Sequence, residues 1–187
     1  MRSQIRCSWC NLKNENYIKY HDEEWGHPLY DDQKLYELLI LECFQAGLSW
    51  ECILNKRENF REAFDYFEIE KVIAYGEDKQ QELMNNSGII RNRLKIKAAV
   101  KNSVVFRAIQ KEFGSFSKYI WSFTDHKVIF EEFTERTTSP LSDEISEDLK
   151  KRGMTFVGST MIYSFLQSMG VINGHSRECM CWSAQNR

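Results

Sequence analysis

Apolar residues recur at helical spacing along most of the chain. After Asp31-Asp32, either of which can accept bonds from free backbone N–H groups, Leu35, Leu38, Leu39 and Cys43 fall three or four apart, and Gly47 is a natural stop. Phe60, Ala63, Phe64 and Phe67 continue the period from Arg57 to Phe67. Further helices are predicted over 68–75 and 77–86, and Asn85-Asn86-Ser87-Gly88 reads as a break. A long helix follows from Asn92 to Phe113 with Ile96, Ala99, Val100, Val104 and Ile109 inside, then a short one over 114–122. Residues 124–141 are less regular, with Val128-Ile129-Phe130 as a short strand. Ser142 caps a helix ending near Arg152, and Gly153–Gly158 reads as a hairpin turn into an apolar helix from Ser159 to Met169. Residues 1–30 show no period and read as irregular. The chain has only 2 prolines and no repeat or linker, so the predicted class is all-α.

Length and composition narrow this picture. With 187 residues, the chain is one domain, or two intimate lobes sharing a core. Hydrophobic residues at 42% and charged residues at 28% exclude a disordered chain. A net charge of −2 excludes a uniformly basic surface but not a local basic patch. No apolar run approaches the roughly 18 residues of a membrane span, and no signal-peptide pattern opens the chain. The expected compartment is the cytoplasm, where paired cysteines point to metal or catalysis more than to disulfides.

Four features carry possible chemistry. Metal-type ligands stand at both ends: Cys7, Cys10 and His21 near the start, His175, Cys179 and Cys181 near the finish. His175 and Cys179 would share one helix face, and zinc takes such thiolates and imidazoles tetrahedrally. Spacing leaves open which N-terminal residues would join them, Cys7-x2-Cys10 being the obvious pair by pattern, or whether all six are unconnected. Glu42 falls beside the apolar stripe of the first predicted helix, where a carboxylate is costly unless paired or used. Trp9, Tyr17, Tyr20, Trp25 and Trp50 cluster near it in sequence, as stacking surfaces for a base or as ordinary core. Two basic runs, Arg91, Arg93, Lys95, Lys97 and Lys101, then Lys150-Lys151-Arg152, stand beside glycine turns where phosphates can be met. Either run is also what a solvated face looks like.

Together these stretches resemble the type I 3-methyladenine DNA glycosylases of the helix–hairpin–helix superfamily. The resemblance runs through Y-I-K-Y-H-D-E-E-W-G at 17–26, L-E-C-F-Q-A-G-L-S-W at 41–50, S-G-I-I-R-N-R at 87–93, L-K-K-R-G-M-T-F-V-G-S-T at 149–160, Y-S-F-L-Q at 163–167, and His175 with Cys179. It implies a helix–hairpin–helix glycosylase fold, one domain over 1–187 whose helical core spans about 31–170 and whose ends, 1–30 and 171–187, are stapled by one structural zinc. The implied ligands are Cys7, His21, His175 and Cys179, with Cys10 and Cys181 outside the set. It further implies a base pocket of Glu42, Tyr20 and Trp50, with Trp9 and Tyr17 more loosely placed, and Glu42 as the functional carboxylate with water as nucleophile. Gly47 and Leu48 match the loop that approaches the lesion, Leu48 as the wedge, while Arg91, Arg93, Lys151 and Gly158 are expected at the DNA. The implied partner is double-stranded DNA carrying alkylated adenine, with no membrane and a monomeric chain. Cys43, Phe44, Asn92 and Gly174 depart mildly from the pattern, the first two as possible changes to the pocket. A non-catalytic relative that binds alkylated DNA, or a zinc-stapled interaction domain, are the competing readings.

Overall fold

The computed structural model describes residues 5–131 and 136–185. The described residues form eleven α-helices and one two-stranded parallel pair. In chain order the helices are α1 Glu15–Glu23, α2 Asp32–Gln45, α3 Trp50–Leu54, α4 Arg57–Ala63, α5 Ile69–Ile73, α6 Glu77–Asn85, α7 Arg93–Phe113, α8 Phe116–Ser122, α9 Pro140–Lys151, α10 Ser159–Ser168 and α11 Met180–Gln185. The strands are β1 Ile129–Phe130 and β2 Ile172–Asn173.

Helix α2 is the hub. Of the two acids the sequence offers, Asp31 caps it, accepting from Lys34 N at 2.9 Å. It packs against α3, α7, α8 and α10, and every residue from Leu35 to Phe44 is buried. A helix surrounded in this way has no solvent face, so its two acids, Glu37 and Glu42, are carried inside with the leucines.

Several boundaries differ from the periodic reading. Residues 1–30 are not wholly irregular. Asn14 accepts from Asn16 N and Tyr17 N and starts α1, whose buried face is Tyr20 and His21 rather than an aliphatic stripe. Helix α3 has only five residues, too few for a period to show. The helix predicted through Phe67 ends at Ala63 because Asp65, Tyr66 and Phe67 all take positive φ. Gln33 Nε2 holds that turn, donating to Tyr66 O and Phe67 O at 2.7 and 2.8 Å. Ser139, not Ser142, caps α9. Ser142 is the reciprocal partner of a capping box, with Pro140 in the first turn. Val104 is 51% exposed, and Phe106 takes the inward place on α7. The turn from Gly153 to Gly158 contains no paired strands, whereas β1 finds a parallel partner in β2.

The ends of the chain are woven onto this core. Gly26 N donates to Gln167 O at 2.9 Å, Leu29 N to Met169 O at 3.0 Å, and Met180 N to Ile5 O at 2.9 Å. Gly170 shows how close the approach is. Its φ is +74°, and a Cβ there would lie 2.2 Å from the carbonyl carbon of His27. Backbone cannot yield as a flexible side chain can, so Gly170→Ala is expected to cost about 3 kcal/mol from overpacking and the left-handed φ together. A thermal melt should fall by roughly 10 °C; an unchanged melting temperature would contradict the packing of residues 26–29 on the end of α10.

Candidate active site

Residues of α1, α2, α3 and α10, with Trp9 and Trp25 from the segments flanking α1, enclose a cavity of about 200 Å³. It is lined by Trp9, Tyr17, Tyr20, Trp25 and Trp50 on its aromatic side and by Glu42, Gln45, Ser164, Gln167 and Ser168 on its polar side. All five base-pocket residues named by the resemblance therefore meet at one place. The rings of Tyr20 and Trp50 are 5.3 Å apart, those of Trp9 and Trp25 4.7 Å, and those of Trp9 and Tyr17 5.7 Å.

The two buried acids of α2 make the chemistry visible by contrast. Glu37 is neutralised, its Oε1 accepting from Arg57 Nε at 2.6 Å and lying 2.8 Å from an Arg61 guanidinium nitrogen. Glu42 is 2% exposed and has no such cation. Ser168 Oγ donates to its Oε1 at 2.7 Å, while Oε2 is buried without a partner. Two indole donors of the same cavity, Trp9 Nε1 and Trp50 Nε1, are also buried and unpartnered. Unsatisfied polar atoms are rare in a folded interior, and three around one cavity mark a place that a polar ligand completes. Burial pushes the Glu42 carboxyl up to about 8, with the Ser168 bond pulling the other way. A cation among the rings would restore the charged form and gain from the aromatic faces.

A neighbouring cavity of about 470 Å³ shares Glu42, Gln45 and Ser164 with the first. Its rim carries Gly47 and Leu48 from the end of α2, and Phe156, Gly158, Thr160 and Met161 from the turn and start of α10. Gly47 takes φ +80° with open space where a Cβ would go, and Leu48 and Phe156 are 40% and 37% exposed. The loop and the glycine turn that the sequence pairs with DNA thus face one opening beside Glu42.

None of the basic residues lines that opening, and several are paired within the fold. Lys95 is 6% exposed, and its ammonium donates to Phe44 O at 2.8 Å and Ala46 O at 2.6 Å, ending α2 rather than meeting solvent. Arg152 is tied to Asp148 and Glu112, and Lys151 pairs with Glu147 at 2.8 Å. Arg93 donates to Gln81 at 3.0 Å, while Arg91, Lys97, Lys101 and Lys150 are exposed. Arg91, Arg93 and Lys151 line neither cavity. Cys43 and Phe44 point into the core, not the pocket, and Asn92 is the cap of α7. Trp25, offered by the sequence as a stacking ring but left out of the pocket implied by the resemblance, lines it as well, whereas nothing in the sequence pointed to Gln45, Ser164, Gln167 or Ser168 in the site, or to Phe156 at its rim. Gln45 was within sight, in L-E-C-F-Q one turn beyond Glu42, but a serine ending an apolar helix gives no signal.

Under the aromatic floor lies a second cluster. Cys7 Sγ, His21 Nε2, His175 Nδ1 and Cys179 Sγ, all buried, lie within 4.8 Å of one another. The sulfur–nitrogen separations are 3.4 Å for Cys7–His175 and 3.5 Å for both Cys179–His21 and Cys179–His175. Two thiolates and two imidazoles around one small tetrahedral ion would stand roughly 3.5 Å apart. The outer imidazole nitrogens are already engaged, His21 Nδ1 at 2.8 Å from Asp22 and His175 Nε2 at 2.9 Å from Trp25 O, as ligand histidines require. Cys10 and Cys181 stand aside, their thiols directed to the carbonyls of Tyr17 and His21. The Cys7-x2-Cys10 pairing open in the sequence is therefore not the one the fold assembles. This cluster also supports the pocket: the His175 ring packs 4.6 Å from Trp25, and His21 packs 5.1 Å from Trp9.

Residues 9–182 match the family model described as methyladenine glycosylase. A DNA-3-methyladenine glycosylase of Haemophilus influenzae is 43% identical over 180 residues, 94% of this chain and 97% of that protein. DNA-3-methyladenine glycosylase 1 of Escherichia coli is 41% identical, covering 95% and 96% of the two chains. A crystal structure of 3-methyladenine DNA glycosylase I superimposes with a TM-score of 0.90 at 41% identity, over 95% of this chain and 99% of the other. A single-residue variant of such an enzyme, solved in complex with 3-methyladenine, gives 0.87 at 36% identity, over 90% and 93% of the two chains.

Proposed function

This chain belongs to the methyladenine glycosylase family, and from that premise we infer that it hydrolyses the N-glycosidic bond of 3-methyladenine in alkylated DNA. The observation that carries the reading is Glu42, a buried carboxylate with one oxygen unpartnered in an aromatic cavity of a size for a base.

The chemistry follows from the charge of the lesion. 3-Methyladenine joined to deoxyribose is cationic, so its glycosidic bond is weak and its departure needs little protonation. The base, turned out of the duplex, stacks among Tyr20, Trp50, Trp9 and Tyr17, with Glu42 Oε2 accepting from its N–H edge and balancing its charge. Water adds to the sugar carbon as the carbon–nitrogen bond breaks. The bonding pair leaves with the base and cancels its charge, and the water proton is released, leaving an abasic site. Unmodified adenine is neutral and gains neither the ion pairing nor the full cation–π attraction. No lysine lines the base cavity among the described residues, which supports a monofunctional reaction with water as nucleophile. The α9–turn–α10 unit serves as the helix–hairpin–helix, Gly158 approaching a phosphate of double-stranded DNA, with Arg91, Arg93 and Lys151 along the backbone path. Gly47 and Leu48 fill the gap left by the base.

Zinc suits the four-ligand cluster: its donor set and spacing are those of a closed, structural site with no open position for substrate. Bound there, the ion would cross-link the two chain ends, and no step of the hydrolysis would pass through it. The chain acts as a monomeric, single-domain cytoplasmic enzyme of two lobes, 31–170 and the zinc-stapled ends. No helix among the described residues is long and apolar enough to cross a membrane.

Duplex DNA with one 3-methyladenine, incubated with the protein, is expected to yield the free base and an uncut abasic strand. A strand cut by the protein, or a protein–DNA adduct trapped by borohydride, would contradict the monofunctional mechanism.

A further inference from the structure

Ser168 closes α10 and is 5% exposed, yet it borders two cavities. One is the base pocket. The other, about 590 Å³, has a charged wall that includes Glu24, Glu37, Arg57 and Arg61. A serine hydroxyl has one proton. Here it goes to Glu42 Oε1 at 2.7 Å, so the 2.6 Å contact with Tyr20 must run the other way, the phenol donating to Ser168 Oγ. The three groups form a directed chain, Tyr20 to Ser168 to Glu42, that ends on one carboxylate oxygen and leaves the other free.

What else faces Glu42 makes this single donor count. Tyr20 comes from α1, Cys43 and Gln45 from α2 itself, Trp50 from α3, and Ser164 and Gln167 from α10. Burial holds Tyr20 and Cys43 neutral, raising the first well above its usual value and the second to about 12. Lys95 spends its protons on the α2 carbonyls, and Arg57 on Glu24 and Glu37 beyond Tyr20. Among the described residues, no other side chain donates to Glu42.

We propose that Ser168 is a positioning residue for base excision: it pins Glu42 Oε1 and turns Oε2 into the pocket as the acceptor for a cationic base. The proposal rests on the excision of 3-methyladenine inferred above. A donor to a carboxylate favours its ionised form, so Ser168 opposes the burial that drives Glu42 toward its neutral form. A neutral Glu42 would lose the charge that separates methylated from ordinary adenine. Ser168 thereby sets how far down the pH scale the pocket remains selective.

The test is a carbon-13 NMR titration of the Glu42 carboxyl in the metal-loaded protein without DNA, run beside single-turnover excision across pH. Ser168→Ala deletes one hydroxyl and is expected to raise the titration midpoint by about one unit. The acid limb of excision should move with it, a loss of roughly tenfold below the midpoint and little above it. Ser168→Thr, which keeps the hydroxyl, should restore both. In a Tyr20→Phe background the shift should persist, which separates it from the effect of an orphaned phenol. If the wild type releases no base, the excision reading fails while the titration still decides the role of Ser168. An unmoved midpoint in Ser168→Ala, or an equal loss of excision at every pH, would overturn the proposal.

Discussion

Glu42→Gln is expected to slow single-turnover excision of 3-methyladenine by about a hundredfold or more. The substitution keeps the shape and the contact with Ser168 but removes the charge facing the base. A charge-assisted hydrogen bond in a dry site contributes on the order of 3 kcal/mol, which is about a hundredfold in rate. Equal rates in the variant and the wild type would remove Glu42 from the reaction. The same variant reports on the cost of keeping the acid. Burial raises the Glu42 carboxyl from an ordinary 4.5 to about 8 in the folded protein. The folded state therefore holds a proton that the unfolded state gives up. Stability is greatest below 4.5 and declines as pH rises toward 8, where the loss levels off. Glutamine does not titrate. Glu42→Gln is thus expected to be more stable than the wild type at pH 8, by on the order of a few kcal/mol and with a higher melting temperature, and the gap vanishes near pH 4. A gap that stayed constant across pH would contradict the buried, unpaired carboxylate.

Removing the metal ligands is expected to have the largest effect on stability. One zinc per chain should be found, and its removal by chelation, or His175→Ala, should lower the melting temperature by more than about 10 °C. The ion would hold Cys7 and His21 against His175 and Cys179, while Ile5, Gly26 and Leu29 carry only single backbone bonds across the same seam. The rings packed on the cluster belong to the pocket, so tryptophan emission from Trp9 and Trp25 should change before the core unfolds. A folded, unchelated sample free of metal would contradict the ligand set.

How much of this the sequence disclosed depends on the range of the physics involved. Helices α2 and α7 were legible because Leu35, Leu38 and Leu39, and Ile96 and Ala99, repeat on one face and because Asp31 and Asn92 are good caps. Helix α1 was not, since Tyr20 and His21 are buried for the pocket and the cluster rather than to complete an apolar stripe. Helix α3 is shorter than the window in which a period can be counted. The pocket residues Glu42, Tyr20 and Trp50 were named through family resemblance; their convergence depends on three helices crossing, which no local pattern encodes. Lys95 shows the limit from the other side. Its type and neighbours suggested a basic surface, and the carbonyls it binds lie on another helix. The same holds for Ser168, whose meaning comes wholly from Glu42 and Tyr20.

One buried carboxylate among aromatic rings thus selects a cationic base for removal. The decisive measurement is single-turnover release from two duplexes identical except for 3-methyladenine or adenine at one position, with wild type and Glu42→Gln side by side. Free 3-methyladenine is expected from the first duplex, no adenine from the second, and near-complete loss of release in the variant. Release of neither base by the wild type, or of both at similar rates, would contradict that selection.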